Sequence, residues 1–366
     1  MVWVARRHRE PEAAPVTGRQ EARSTERRRL RTAHYGLGEV GKRVVALLIR
    51  RADVQIVGAL DTDPLNVGRD LGEVVGLGYG LGVTVCCEPE LLVSGVDADV
   101  VIHATSPYLS VASPQLLPLL ASGKSVISAC DELVCPWTSH PEMASRLDAT
   151  AKEAGVALLA VGTSLGFVTD SLPLFLASAC VEVEALSVTR VIDLAKAPSA
   201  LWAAAGVGMT VDAFRQAASE GLVGLPALLD SVALMAASLG WRLDKVAETI
   251  EPIQATRRWE TEAAIVARGR IAGLRQLARG YRSGAEMLSL DLLAFLGAPD
   301  PHDAIVIRGR PPISARIEGG IPSHLATAAL MVHALPALAT APPGLLSGAE
   351  LRGTYSRQRG RPWLAS

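Results

Sequence analysis

The sequence predicts an α/β fold, with an N-terminal parallel-sheet domain followed by a second, mixed α+β domain. Three observations predict it. Between Arg31 and Val161, short apolar runs of strand length alternate with helical patterns, the signature of a parallel sheet covered by helices on both faces. The first strand-to-helix junction carries Gly36-Leu-Gly38-Glu-Val-Gly41. After about Ser164 the rhythm changes to strand candidates separated by tight turns, several bearing glycine, which argues for a mostly antiparallel sheet. The length of 366 residues suits about two domains.

Arg31–Tyr35 is a strand candidate that ends at the glycine motif. Lys42–Arg51 is a helix with Val44, Val45, Leu47, Leu48 and Ile49 as its apolar face. Val54–Leu60 is an apolar strand ending in Asp61-Thr-Asp63-Pro64. Asp99–Ala104, Ser125–Ser128 and Val156–Val161 read as buried strands, with helices at Gln115–Ser122 and Glu142–Ala154. Further on, Leu186–Ile192 reads as a strand, and Val211–Glu220 and Ala227–Ser238 as helices. A meander is expected over Val246–Ile253, Glu260–Arg268, Ile271–Tyr281, Glu286–Leu292, Ala304–Arg308 and Ile313–Ile317. Gly319-Gly320 precedes a last helix from Ser323 to Leu335, stopped by Pro336. The boundaries expected are a tail over 1–30, a first domain over 31–160, a second over 161–320 and a terminal helical segment over 321–353.

The tail differs from the rest. Residues 1–31 hold nine arginines and four glutamates, without apolar periodicity or the apolar stretch of a secretory signal. It reads as a disordered tail, with a nucleic-acid or membrane arm, or a transit peptide, as the alternatives.

Composition removes several classes. Hydrophobic residues at 49% and charged residues at 20% exclude global disorder. A net charge of −1 argues against a nucleic-acid partner bound by bulk charge. Five cysteines without a CxxC make neither a disulfide framework nor a zinc module, so no metal is expected and a reducing, cytoplasmic setting fits. Apolar runs are too short or too interrupted for a membrane span.

The glycine motif has a mechanism. Gly36 permits the tight turn, Gly38 lets the backbone approach a pyrophosphate, and Gly41 lets the helix pack on the strand. Such phosphate-binding junctions open a dinucleotide-binding Rossmann domain, with Glu39 and Val40 contributing backbone at the helix start. Asp61, 20 residues after Gly41, ends the second strand. An acid there binds a ribose 2′-hydroxyl and repels a 2′-phosphate, favouring NAD. Arg69 lies close behind and would tolerate the phosphate, so NAD and NADP both stay open. Thr105 and Ser106, just past the strand Asp99–Ala104, are placed to contact the cofactor. His103 is a candidate proton carrier, or a core histidine.

Asp131 and Glu132 come after the strand Ser125–Ser128, within the apolar run Ser-Val-Ile-Ser-Ala-Cys-Asp-Glu-Leu-Val-Cys-Pro. The segment beyond a strand's carboxyl end in this architecture borders the cofactor crevice. A carboxylate held there has its pKa raised and can take a proton from an amine near neutral pH. The competing reading is two surface acids capping a loop. Cys130 and Cys135 beside them, and His324 and His333 in the last helix, read as structural.

The sequence resembles the 2,4-diaminopentanoate dehydrogenases and the native amine dehydrogenases, relatives of dihydrodipicolinate reductase. The matching stretches are YGLGEVGKRVV (35–45), VGALDTDPLNVGRDLG (57–72), SVISACDELVCP (125–136), RVIDL (190–194), GLPALLDSVALMAASLGWRL (224–243) and GGIPSHLATAALMVHALP (319–336). The resemblance implies an NAD(P)-dependent oxidoreductase acting on an amine-bearing carbon. It implies that the last helix returns to the first domain. Family members carry Cys-Glu-Glu-Leu where this chain has Cys130-Asp131-Glu132-Leu133, and a glutamate of that motif binds the amine. The role transfers to Glu132, with Asp131 as the second candidate. Ser164-Leu165 replaces a family Asn-Pro, and His324-Leu325 a family Gly-Asp. The reductase signature of a histidine pair before Asp-Ala-Pro-Ser-Gly-Thr is reduced here to Lys196-Ala197-Pro198-Ser199.

The expected reaction is reversible oxidative deamination, or reductive amination of a ketone or aldehyde with ammonia, in a homodimer that pairs through exposed strands of the second domain. The alternatives are an imine reductase, in which Arg190 or Arg242, each otherwise read as a surface ion-pair residue, would meet a substrate carboxylate, and a dinucleotide sensor without turnover.

Overall fold

The structure, a computed structural model, describes residues 28–197, 199–261 and 265–347. The expected tail therefore lies outside the described residues up to residue 27, as do Pro198 and everything after residue 347.

The chain runs β1 (Leu30–Tyr35), α1 (Glu39–Leu48), β2 (Val54–Leu60), α2 (Leu71–Val74), β3 (Val85–Cys86), β4 (Val100–His103), α3 (Leu109–Ala121), β5 (Ser125–Ser128), α4 (Pro141–Glu153) and β6 (Ala157–Ala160). It continues through α5 (Ser171–Ala177), β7 (Glu182–Asp193), α6 (Ser199–Ala204), α7 (Val211–Ser219), α8 (Leu228–Ser238) and β8 (Lys245–Gln254). It closes with β9 (Trp259–Glu260), β10 (Ile265–Val266), β11 (Ile271–Arg282), β12 (Ala285–Phe295), β13 (His302–Arg310), β14 (Ile313–Glu318), α9 (Ser323–Leu338) and β15 (Gly344–Leu346).

The first sheet is parallel throughout, in the order β15-β6-β5-β4-β1-β2-β3. Its strands are apolar on both faces because helices cover both. Val100, Ile102 and Ile127 pack with Val44, Leu48, Met331 and Leu335 of α1 and α9. Their neighbours Val101 and Val126 face the other way, onto Leu116 and Leu120 of α3 and Leu147 of α4. Strand order reverses between β1 and β4, which opens a crevice at the carboxyl ends of those two strands. Strands β3 and β15 were not expected, since two or three residues are too short to show a period.

The second sheet has the order β14-β13-β7-β12-β11-β8. The expected meander holds for β8-β11-β12 and for β13-β14, but β7 comes between β12 and β13 and pairs with β12 in parallel. Glu260–Arg268 is not one strand: Glu260 and Ile265–Val266 belong to a separate two-stranded ladder, β9-β10. Leu186, Val188, Leu288 and Leu290 of this sheet join the same hydrophobic cluster as the first sheet, through Leu228 and Val232 of α8. One apolar core thus runs through both sheets and fixes the strand ends against the second domain.

Two helices run through prolines. Helix α3 begins at Leu109, before Pro114 and Pro118, and α9 passes Pro336 to end at Leu338. Pro336 has no N–H for the carbonyl four residues back, that of Val332. Arg51 Nη1 donates to that carbonyl at 3.3 Å, which replaces the missing bond and lets the helix continue.

His34 and Thr32 lie on the β1 face beneath α1 and α9, fully buried, with both His34 ring nitrogens and the Thr32 hydroxyl lacking a partner. Burial pushes His34 down to about 3, so it folds neutral. The unfolded chain binds that proton first as pH falls. This stability is complete above about pH 6.5 and is lost towards pH 3, by up to about 1.4 kcal/mol per pH unit. His34→Leu is expected to flatten the fall in Tm between pH 7 and pH 5. An unchanged slope by calorimetry would remove His34 as the cause.

Candidate active site

The glycine loop joins β1 to α1 under tight packing. Gly36 has φ +95°, and a Cβ there would meet the Ala104 carbonyl oxygen at 2.4 Å. A Cβ at Gly41 would meet the Gly36 carbonyl oxygen at 2.0 Å. Around Gly38 nothing lies within 4 Å of the added Cβ position, so that face of the loop is open. Helix α1 starts at Glu39 with no side chain capping it, so the backbone N–H groups of its first turn, Val40 among them, are available to an anion. The Glu39 side chain turns to Arg43 at 3.3 Å.

Asp61 ends β2 and pins this loop. Its Oδ2 accepts from Leu37 N–H at 2.8 Å and from Asn66 Nδ2 at 3.0 Å, and its Oδ1 from the N–H groups of Thr62 and Asp63 at 2.7 and 3.0 Å. Arg69, half-exposed, donates to the Leu65 carbonyl at 3.1 Å and pairs with Glu73 at 3.7 Å. The Thr105 hydroxyl turns inward, donating to Gln115 Oε1 at 2.7 Å, and Ser106 Oγ accepts from Tyr108 N–H at 3.1 Å.

His103 is a core histidine. It is fully buried, with Nδ1 2.9 Å from Ser128 Oγ and Nε2 2.8 Å from Gln115 Oε1, and burial pushes it down to about 4. It is neutral near pH 7 and its ring nitrogens are used.

The two acids occupy a single turn of 3-10 helix, Asp131–Leu133, after the carboxyl end of β5. Cys130 and Leu133 beside them are buried, which fixes the turn. Glu132 Oε2 accepts from Leu109 N–H at the start of α3, at 2.6 Å, and lies 3.5 Å from His140 Nε2. Asp131 Oδ1 faces the turn after β6, 3.3 Å from where a Gly162 Cβ would stand. Burial first, and then the charge on Glu132, push the Asp131 carboxyl up to about 7. Burial raises the neighbouring Cys130 thiol to about 12, an inert group, and no described cluster of three or more His, Cys, Asp or Glu is placed to hold a metal.

Sequence reasoning missed a second layer behind Glu132. Asp230, in the first turn of α8, is buried and accepts from Ser139 Oγ at 2.5 Å; its Oδ2 has no partner. Ser139 and Asp230 are 91 residues apart, so spacing carries no signal of their meeting. Arg190 is no surface residue: it is buried on β7, bound to Asp303 at 3.1 Å and to the Ile321 carbonyl at 2.6 Å. It ties the second sheet to the start of α9. Arg242 is exposed.

Beside the second sheet lies a hollow of about 350 Å³, counting its open mouth. Ile192, Leu194, Leu201, Leu225 and Leu292 form its walls with Ser164, two residues past Gly162.

Comparison with known proteins agrees with this geometry. Residues 31–130 match the model of the dihydrodipicolinate reductase N-terminus, and residues 167–355 that of the 2,4-diaminopentanoate dehydrogenase C-terminal domain. The chain is 26% identical to a 2,4-diaminopentanoate dehydrogenase of Acetoanaerobium sticklandii over 317 residues, 85% of this chain and 90% of that one. It is 25% identical to an amine dehydrogenase of Streptomyces virginiae over 310 residues, covering 78% and 84%. The solved amine dehydrogenase of Mycobacterium smegmatis superposes with a TM-score of 0.81 at 24% identity, covering 90% of this chain and 97% of that one. The C-terminal model spans more than half of the chain, and the protein belongs to the 2,4-diaminopentanoate dehydrogenase family of oxidoreductases.

Proposed function

We propose that this protein is an NAD(P)-dependent amine dehydrogenase that interconverts an amine with a ketone or aldehyde plus ammonia. The observation that carries the reading is the adjacent pair Asp131 and Glu132. Both stand at the carboxyl end of β5, in the row of strand ends that also holds the glycine loop. A nicotinamide dinucleotide fits that loop, where Gly38 is open and the first turn of α1 is uncapped. Asp61 favours NAD through its negative charge, by repelling a 2′-phosphate. When bound, the nicotinamide supplies the hydride acceptor or donor.

The chain's own residues manage charge and protons. Only a neutral amine has the lone pair that stabilises the iminium, so a base must first remove a proton. Glu132, held by Leu109 N–H, is that base, and its carboxylate stabilises the cationic iminium. Asp131, with a proton affinity near neutral, sets how much negative charge the pair carries. It keeps a proton below about pH 7 and loses it above.

Asp131→Asn fixes the neutral state. It is expected to remove an inflection near pH 7 from the kcat profile. Stability has a definite sign as well. Ionised Asp131 is disfavoured in the fold, so stability falls as pH rises from its ordinary 3.8 towards about 7 and levels off above. At pH 8 the variant is expected to melt above wild type, with a gain of at most about 4 kcal/mol, less for a carboxyl that water partly reaches. A lower Tm and an unchanged profile would refute this role.

The hollow beside Ser164 is walled by apolar side chains and carries no cation. It suits an alkyl arm, and Arg190 is already engaged by Asp303. The test is NADH and NADPH oxidation with ammonia across alkyl aldehydes, ketones and keto acids. Alkyl carbonyls are expected to lead. Turnover without ammonia would overturn the reading, and cofactor binding with no turnover on any member would favour a sensor.

A further inference from the structure

Behind Glu132 stands an arrangement that the amine chemistry above does not use. His140 lies on the loop before α4, with its backbone N–H bonded to the Pro136 carbonyl at 2.8 Å and Pro141 opening the helix after it. Its Nε2 is 3.5 Å from Glu132 Oε2, and its side chain is 37% exposed while that of Glu132 is 17% exposed. The ring therefore bridges a half-buried carboxylate and open solvent. Asp230 backs it from α8. An acid in a helix's first turn is ordinarily a solvated partner of the helix dipole. Asp230 is instead 2% exposed, turned to Ser139 on the same loop as His140, with Oδ2 left without any partner. An orphaned buried carboxylate oxygen is costly. A neighbouring imidazolium offsets that cost electrostatically, and the His140 charge acts on Asp230 in that sense. The titratable groups that face His140 are Glu132 from the turn after β5 and Asp230 from α8.

We propose that His140, 3.5 Å from Glu132, is a proton relay between Glu132 and solvent, charge-balanced by Asp230. The inference rests on the amine dehydrogenase reading. In deamination the substrate ammonium gives its proton to a Glu132 carboxylate oxygen. Glu132 passes that proton to Nε2 of a neutral His140 in the tautomer that holds its own proton on Nδ1. The imidazolium, facing Asp230, releases its Nδ1 proton to bulk water at its exposed edge, and proton exchange with that water returns the neutral ring to its starting tautomer. No electrons move in these steps, and the sequence reverses when an iminium is reduced. His140 and Asp230 act through Glu132 and need not touch substrate.

The test compares wild type, His140→Gln, His140→Ala and Asp230→Asn as full-length holoenzyme, in ammonia-dependent NAD(P)H oxidation at low and high concentrations of imidazole buffer. Glutamine keeps a hydrogen-bond donor beside Glu132 but cannot take up and release a proton. Both His140 variants are expected to lose at least about tenfold in kcat at low buffer, with cofactor and carbonyl KM unchanged. Added imidazole restores kcat in His140→Ala. Asp230→Asn shifts the pH profile of kcat, and does so less in a His140→Ala background. Full activity in either His140 variant, or a loss that imidazole leaves untouched while cofactor KM holds, overturns the relay and leaves the amine reading standing. Wild type without ammonia-dependent turnover overturns both.

Discussion

Glu132→Gln is expected to lower kcat for ammonia-dependent turnover by about 10²–10⁴-fold, the range for a positioned acid–base group, and to leave cofactor KM within a few-fold. Glutamine is nearly isosteric, and its carbonyl oxygen still accepts from Leu109 N–H. The start of α3 therefore stays anchored. Two things are lost. The side chain cannot take a proton from an ammonium, and it no longer offsets the positive iminium. The second loss is graver because the pair sits among buried groups such as Cys130 and Leu133, where charges are weakly screened. Stability is expected to hold or rise slightly, since removing a charge beside Asp131 relieves one cause of that carboxyl's raised pKa. A Glu132→Gln enzyme with wild-type kcat would transfer the chemistry to Asp131, and Asp131→Asn would then carry the large loss.

The three glycines of the loop are expected to separate fold from cofactor. Gly41→Ala places a methyl 2.0 Å from the Gly36 carbonyl oxygen, which is backbone and cannot move without lifting α1 off β1. Gly36→Ala adds a clash at 2.4 Å and a strained φ of +95°. Both are expected to lower Tm sharply, by several degrees or more. Gly38→Ala meets nothing within 4 Å. Its Tm is expected to stay near wild type while affinity for NADH and NADPH alike falls about tenfold or more, because the new methyl occupies the approach to a pyrophosphate. Cofactor titration beside thermal melts reads this directly. A Gly38→Ala protein that binds cofactor as wild type would refute the placement of the phosphates.

The sequence was most legible where a local pattern has only one physical use. The glycine motif, the apolar runs of β4 and β5 and the position of Asp131-Glu132 after a strand end can be read from the chain alone, because a parallel strand buried on both faces leaves little freedom. The element ends at prolines were less legible. Pro336 breaks a helix by local rules, whereas here the Val332 carbonyl it leaves without a partner is met by the Arg51 guanidinium, 281 residues away in sequence. Insertion of β7 between β12 and β13 was hidden for the same reason, since a parallel pairing carries no turn signal. The layer behind Glu132 was out of reach. Asp230 looks like an ordinary first-turn acid, and its burial against Ser139 is a property of how α8 meets α4's loop. Arg190 shows the same limit: its charge suggested the surface or a substrate, and its β7 register buries it against Asp303.

The proposed reaction takes ammonia as a substrate and joins its nitrogen to the carbonyl carbon in this site. The most direct measurement is mass spectrometry of the product formed by wild-type enzyme from an alkyl aldehyde or ketone, ¹⁵N-ammonium and NADH or NADPH. An amine carrying one ¹⁵N, formed in step with cofactor oxidation, is expected. Cofactor oxidation that yields an alcohol, or a product without the label, would contradict it.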